Sequence, residues 1–313
     1  MTTKILSAFA AAAVLFSLAS CNRDRSLDPL AGGPVPMSFL ADISNVATRA
    51  TATGFEADDA AGIIPMKNGT VETAQTNIAY TCDGTNFTAN PPYWFQDLDK
   101  VTFNAYYPYD RNLAADHIID IDTRAANQTY EIINGHVWYR NDYLFASAET
   151  DVRTPQVAFT GSSAFQHVMS SISIKFKAGT DYGIENLDLL TGYTIGQLVV
   201  DGSFDCSTGA VALDGSAAAE SITIDGISCA LSTTLYGTEP LIVLPQTVSG
   251  GKFSLTVNYN GSNYVASLTL AELAAGTRYE FPVTIKNTGL EIGNAEIKDW
   301  ATGTATGGDA VLQ

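Results

Sequence analysis

Side chains able to do acid–base or nucleophilic work are few and scattered along this chain of 313 residues. The three histidines, His117, His136 and His167, stand far apart. A Ser-His-Asp arrangement would lack the Gly-x-Ser-x-Gly elbow that presents a serine. Asp97-Leu98-Asp99 and Asp120-Ile121-Asp122 each put two carboxylates on one face of a strand. That spacing suits a Ca²⁺ ion or glycoside hydrolysis, and it equally suits a solvated hairpin edge. No Gly-rich loop ends in the lysine that would cradle a phosphate, and no Cys-x-x-Cys pair or Cys/His cluster offers zinc ligands. His167, beside Phe165 and Met169, reads as a packed, hydrogen-bonded core histidine. The expectation is a protein without catalytic residues, metal or cofactor.

Cys21 is the exception, because its position gives its sulfur a use. It follows Leu18-Ala19-Ser20, which ends an apolar run, Ile5 to Leu18, behind Lys4. That run is too short to cross a bilayer as a stable helix and has the anatomy of an export signal over residues 1–20. Small residues before a cysteine resemble the lipobox of bacterial lipoproteins, whose thiol receives a diacylglycerol before cleavage. The resemblance implies acyl chains on Cys21, each CH₂ worth ~0.8 kcal/mol of membrane affinity. Residues 21–35, rich in Pro and Gly, read as a flexible tether between lipid and fold. Asp24 and Asp28 loosely resemble the charged patch that directs some lipoproteins to the outer face of the outer membrane. Of the other cysteines, Cys82, Cys206 and Cys229, at least one must stay unpaired. Cys206 and Cys229 are a candidate disulfide in an oxidising periplasm, and three buried free thiols are the alternative.

The elements that would position these residues are strands. Met37-Ser38-Phe39-Leu40-Ala41-Asp42-Ile43 alternates apolar and other residues with a period of two, and Val101–Tyr106, Ile172–Lys177, Phe253–Tyr259 and Tyr279–Ile285 do the same. Pro282 marks an edge or a bulge in the last of these, since it has no N–H to give a ladder. Asp83-Gly84, Asp201-Gly202, Asn68-Gly69 and Asn260-Gly261 supply the positive φ that tight hairpins need. Helical signals are limited to short turns within Ser162–Met169 and Leu270–Ala275. The pattern predicts an all-β chain of two antiparallel sandwiches, residues 36–163 and 164–313. Acidic residues number 33 against 16 basic ones, a formal charge of −17. Such a surface repels phosphate backbones and excludes nucleic acid as a partner.

Two aromatic runs, Tyr93-Trp94-Phe95 and Tyr106-Tyr107-Pro108-Tyr109, allow a second reading, a surface lipoprotein that stacks glycan rings on exposed aromatics. Strand alternation instead sends half of each run into the core. The two readings differ in geometry. A glycan platform needs at least two of Trp94, Tyr107 and Tyr109 side by side in solvent.

Several segments, taken in order, resemble the fimbrillin family of pilus subunits from anaerobic Gram-negative bacteria, most closely its Mfa-like lipoprotein branch. They are Pro36–Ile43, Thr48-Arg49-Ala50-Thr51, Phe55–Asp59 with Gly62-Ile63, and the Asp-Gly hairpin Tyr80–Phe87. Phe103–Pro108, Leu144-Phe145-Ala146, Phe165-Gln166-His167, Leu244-Pro245-Gln246 and Ile297-Lys298-Asp299-Trp300 follow. Asp58 stands where the family more usually has Gly. The resemblance implies two tandem transthyretin-like, Greek-key sandwiches and assembly by strand exchange, a form of β-augmentation. In that scheme Met37, Phe39, Ala41 and Ile43 belong to the displaced strand. Cleavage after Arg49 would shed strand and lipid together, while an uncut chain would serve as an anchor or accessory. Ala310, Val311 and Leu312 are the candidate donor residues, in a tail short and Gly-rich for a stalk subunit. The implied partners are other pilin subunits, the outer membrane through the lipid, and a host glycan or protein at the cell surface.

Overall fold

The computed structural model describes residues 28–44, 54–133, 136–180, 189–286, 288–298 and 300. The chain is all-β; among the described residues the helical pieces are four short 3₁₀ turns. The first sheet is built from β1 (Ser38–Ala41), β2 (Ala60–Lys67), β3 (Ile78–Cys82), β4 (Phe87–Thr88), β5 (Val101–Tyr107), β6 (Leu144–Thr150), β7 (Gln156–Phe159) and β8 (Gln166–His167). Their spatial order is β7-β1-β4-β3-β2-β5-β6-β8. The expected period of two holds in the opening strand: Met37, Phe39 and Ile43 are buried, while Ser38, Leu40 and Asp42 face outward. One face of the sheet carries a core of Phe39, Tyr80, Phe87, Phe103, Phe159 and Phe165. The central strand β5 is buried on both faces, because Tyr106 and Ile64 point into a second cluster on the reverse side. Gly62 is required there, since a Cβ on it would lie 2.1 Å from the Tyr106 ring.

The later residues form β9 (Ser170–Ala178), β10 (Leu189–Leu198), β11 (Glu220–Ala230), β12 (Lys252–Tyr259), β13 (Ser262–Thr269) and β14 (Thr277–Lys286). One sheet runs β11-β10-β12-β13, and in the other β9 pairs with β14. Ile174, Phe176, Ile195, Phe253, Leu255, Val257, Phe281 and Val283 fill the space between them, as the alternating patterns require. Two pairs depart from the expected antiparallel scheme: β9 runs parallel to β14, and β1 runs parallel to β7. Pro282 is not on an edge. It pairs with Lys175 on one side, and on the other it falls in the gap between two short strands, Gly289–Ile292 and Glu296–Lys298. The missing N–H therefore costs no ladder bond.

Hydrogen bonding carries the first sheet past the break expected after Ser163. Phe165 packs in the first core, and β8 pairs with β6, so the second set of strands begins at Ser170. The halves are also tied together. Ile118–Asp122 pairs with Asp201–Asp205, which pairs in turn with Ala210–Leu213. Beside this small sheet the Arg124 guanidinium forks onto Asp201 at 2.6 Å and Glu220 at 2.6 and 3.0 Å. The residues expected to be tether are shorter than the sequence suggests. From Asp28 the chain turns, Gly33 at φ 104° allowing it, and Val35–Pro36 pairs with Trp94–Phe95. Leu30 and Val35 lie against the first core, and this apolar contact outweighs the Pro/Gly content.

Candidate functional site

The residues named for strand exchange sit in one slot. Strand β1 fits between β7, parallel in register Ser38 to Gln156 through Ala41 to Phe159, and β4, which it meets at the single pair Phe39–Phe87. Its backbone bonds continue beyond the strand. Met37 N–H donates to Tyr93 O at 2.8 Å, Asp42 N–H to Phe159 O at 2.9 Å and Ser44 N–H to Phe165 O at 2.7 Å. Phe165 N–H donates back to Asp42 O at 2.8 Å. The Phe39 ring stacks on Phe87 at 4.4 Å, with Tyr80 at 5.1 Å and Phe159 edge-on at 5.2 Å. Ala41 and Val35 are partly buried against the same core.

Tyr80 is the polar hinge of the slot and was not foreseen. Its hydroxyl donates to Met37 O at 3.2 Å and accepts from Tyr93 N–H at 2.9 Å. Burial pushes this hydroxyl up to about 12, which keeps the proton on the oxygen. The buried carboxylate Asp59 accepts from Glu56 N–H at 2.8 Å and from the Tyr107 hydroxyl at 3.0 Å. Neither role could be read from sequence, because a Tyr or Asp in a strand or turn looks the same whether it is buried or wet. Asp58 beside it has φ 77°, which explains why glycine is usual at this place in the family it resembles.

A second cluster closes the junction between the halves. His167 is buried and its Nδ1 donates to Asp142 at 2.6 Å, as expected of a core histidine. Its ring stacks on Trp300 at 4.6 Å, and Trp300 Nε1–H donates to the other oxygen of Asp142 at 3.3 Å. His167 Nε2 has no partner, so among the described residues it has no nucleophile to activate. His117 meets Thr76 instead and shares nothing with His167.

The other candidates separate. Asp97 pairs with Lys67 at 2.8 Å, and Asp122 lies 3.2 Å from Arg124, so one carboxylate of each pair is engaged by a cation. Among the described residues no group of three or more His, Cys, Asp or Glu is placed to hold a metal ion. The condition set for a glycan platform is not met: Trp94 is 37% exposed, but Tyr107 is buried and Tyr109 packs in the junction core. Of the two readings of the later cysteines, the candidate Cys206–Cys229 disulfide is not formed and the free thiols are found. Both are free thiols, Cys206 in the junction core and Cys229 on β11 against the core of the second half, and Cys82 is free as well. Shared membership of the later half had suggested the pairing, but the two residues belong to different clusters. Cys21, Arg49, Ala310, Val311 and Leu312 lie outside the described residues.

Among curated proteins, none matches the chain. Its fold is similar to a proposed cell adhesion protein of Bacteroides uniformis, at 22% identity and TM-score 0.65, over 87% of this chain and 99% of that one. A proposed cell adhesion protein of Bacteroides ovatus is similar at 25% identity and TM-score 0.66, over 86% and 98%. A fimbrial protein of Bacteroides vulgatus is similar at 14% identity and TM-score 0.54, over 84% and 99%. The profile of the fimbrillin-like proteins matches residues 48–300, most of the chain, and so this protein belongs to the fimbrillin-like family.

Proposed function

We propose that the chain is a structural subunit of a cell-surface fimbria, a tip, anchor, accessory or stalk component, assembled by exchange of its first strand. The observation that carries the reading is β1 with its flanking residues, a segment with Met37, Phe39 and Ile43 buried at 5% exposure or less. It precedes Arg49 in the sequence, within a stretch of small residues. Cleavage after Arg49 would free residues 21–49 together with any lipid on Cys21. The vacated slot would then hold unpaired backbone groups in an apolar groove, each costing ~1–3 kcal/mol, and would draw in a strand from a neighbour. Ala310, Val311 and Leu312 would be offered by this chain to the next subunit's groove. Uncut, the acylated chain would anchor the fimbria to the outer membrane.

The test is to recover surface-assembled protein and sequence its N-terminus, alongside electron microscopy of cells with and without the chain. A start at Ala50 in filaments lost on deletion is the expected result for a processed subunit. A start at Cys21 in filament-bound protein identifies the anchor form and rules out exchange of this strand. Unchanged surface filaments on deletion, with the protein absent from them, would refute the fimbrial role.

A further inference from the structure

On the strand-exchange reading above, we infer that the groove beneath β1 selects its occupant: a strand running parallel to β7 with an aromatic ring at its third inward position, supplied by a chain other than a second copy of residues 301–313.

Five alternate residues of the present occupant point inward: Val35, Met37, Phe39, Ala41 and Ile43. They are not equivalent. The third, Phe39, enters a socket whose walls are themselves rings, Tyr80, Phe87 and Phe159, all 2% exposed or less. Such a socket resists collapse on a small residue, because Tyr80 and Phe87 are held in the paired strands β3 and β4 and Phe159 packs beside β6. A void would remain, and voids in packed cores are costly. A ring at this position recovers stacked and edge-on contacts that an aliphatic chain does not.

The direction of the occupant is set by polar groups that stay behind. The Tyr80 hydroxyl needs a carbonyl where Met37 O now lies, having already used its acceptor side on Tyr93 N–H. Phe165 N–H needs a carbonyl at the place of Asp42 O, while Phe159 O and Phe165 O need N–H donors at the places of Asp42 and Ser44. A chain of the same polarity and register meets all four demands in place. A reversed strand would pair in the alternating antiparallel pattern instead of this evenly spaced one.

Residues 301–313, Ala-Thr-Gly-Thr-Ala-Thr-Gly-Gly-Asp-Ala-Val-Leu-Gln, contain no aromatic side chain. That segment can place Ala310 and Leu312 in alternate pockets but nothing in the ring socket. The donor therefore carries Phe, Tyr or Trp at the third inward position, which residues 301–313 of a second copy do not supply.

The experiment uses the full chain with residues 46–52 replaced by the site of a sequence-specific protease. After the cut, the protein is challenged with labelled synthetic peptides, and retention is read by fluorescence anisotropy and native electrophoresis. The peptides are the Val35–Ser44 sequence, its Phe39→Ala and Leu40→Ser variants, and 301–313. Phe39→Ala and 301–313 are expected to be retained at least 100-fold more weakly than the native sequence, a difference of about 3 kcal/mol. Leu40→Ser, which changes only the outward face, stays within about threefold on the same scale. Retention of 301–313 or of Phe39→Ala within about tenfold of the native sequence overturns the selectivity and leaves strand exchange standing. Failure of even the native sequence to enter the cut protein overturns strand exchange, and the selectivity with it.

Discussion

Replacing Phe39 by Ala separates what β1 does in the single chain from what it does in an assembly. Phe39 is 1% exposed and touches three rings, none of which can move into the space it would leave. Truncation of a buried Phe costs about 3–5 kcal/mol, a large part of the 5–15 kcal/mol that a folded chain of this kind holds in reserve. At roughly 2–4 °C per kcal/mol, the midpoint of thermal unfolding should fall by about 6–20 °C. Urea denaturation followed by circular dichroism gives the same loss as a shift in midpoint at unchanged slope. Leu40→Ser, one residue away on the outward face, should stay within about 0.5 kcal/mol of the parent. If β1 is exchanged during assembly, Phe39 is absent from the finished fibre, and fibres grown from the Phe39→Ala chain should dissociate at the same denaturant concentration as the parent's. A loss below about 1 kcal/mol in the single chain would refute the packing argument. Fibres weakened as much as the single chain would show that β1 never leaves.

Asp58→Gly should stabilise the chain by up to about 1 kcal/mol, read as a higher urea midpoint, because φ 77° costs a non-glycine residue more than glycine. A lower midpoint would mean that the Asp58 side chain has a role of its own. Iodoacetamide at pH 8 should label Cys229 in the native protein and reach Cys206 only on unfolding, since burial raises the Cys206 thiol far above its ordinary value. Mass spectrometry showing Cys206 and Cys229 linked would contradict the structure. The Lys67 ammonium holds the Asp97 carboxyl below its usual range. Its stabilisation is thus complete above the unfolded value of about 4 and is lost as pH falls through the lower folded value. Asp97→Asn should flatten the stability profile below about pH 4 and leave its slope above pH 5 unchanged.

The opening strand was legible because alternation over Met37–Ile43 is a direct signal of one buried face, and the structure buries those alternate residues. The aromatic runs were legible only as strands. Tyr93 and Phe95 turned inward as alternation demands and Trp94 stayed exposed, whereas neighbours Tyr106 and Tyr107 are both buried, on opposite faces of β5. Parallel pairing of β1 with β7, and of β9 with β14, could not be read. Pairing direction depends on which distant segment returns to lie alongside, and a period of two is the same in either case. The tether was misjudged because Pro and Gly weigh heavily in such a reading, whereas two apolar residues, Leu30 and Val35, decide the outcome. The junction cluster could be half seen: His167 and Trp300 each stood out, but nothing in the sequence joins them to Asp142.

The place of β1 in the sheet bears on how it could leave. It pairs with β4 at one residue position and with β7 over four, while β4, β3, β2, β5 and β6 remain joined to one another without it. Strand β7 does not depend on β1 alone, since it packs beside β6 and the 3₁₀ turn Gly161–Ser163. Withdrawal would therefore leave the ladder from β4 to β6 intact and take from β7 its one strand partner among the described residues, leaving it held by packing. The energy that holds β1 is concentrated in side chains, chiefly Met37, Phe39 and Ile43, each worth about 1.5–3 kcal/mol in burial. A strand held this way is stable while tethered in cis, where its effective concentration is high. Once the covalent link is cut, an incoming strand can replace it on the strength of the same pockets. The selectivity of the socket around Phe39 then determines which strand succeeds.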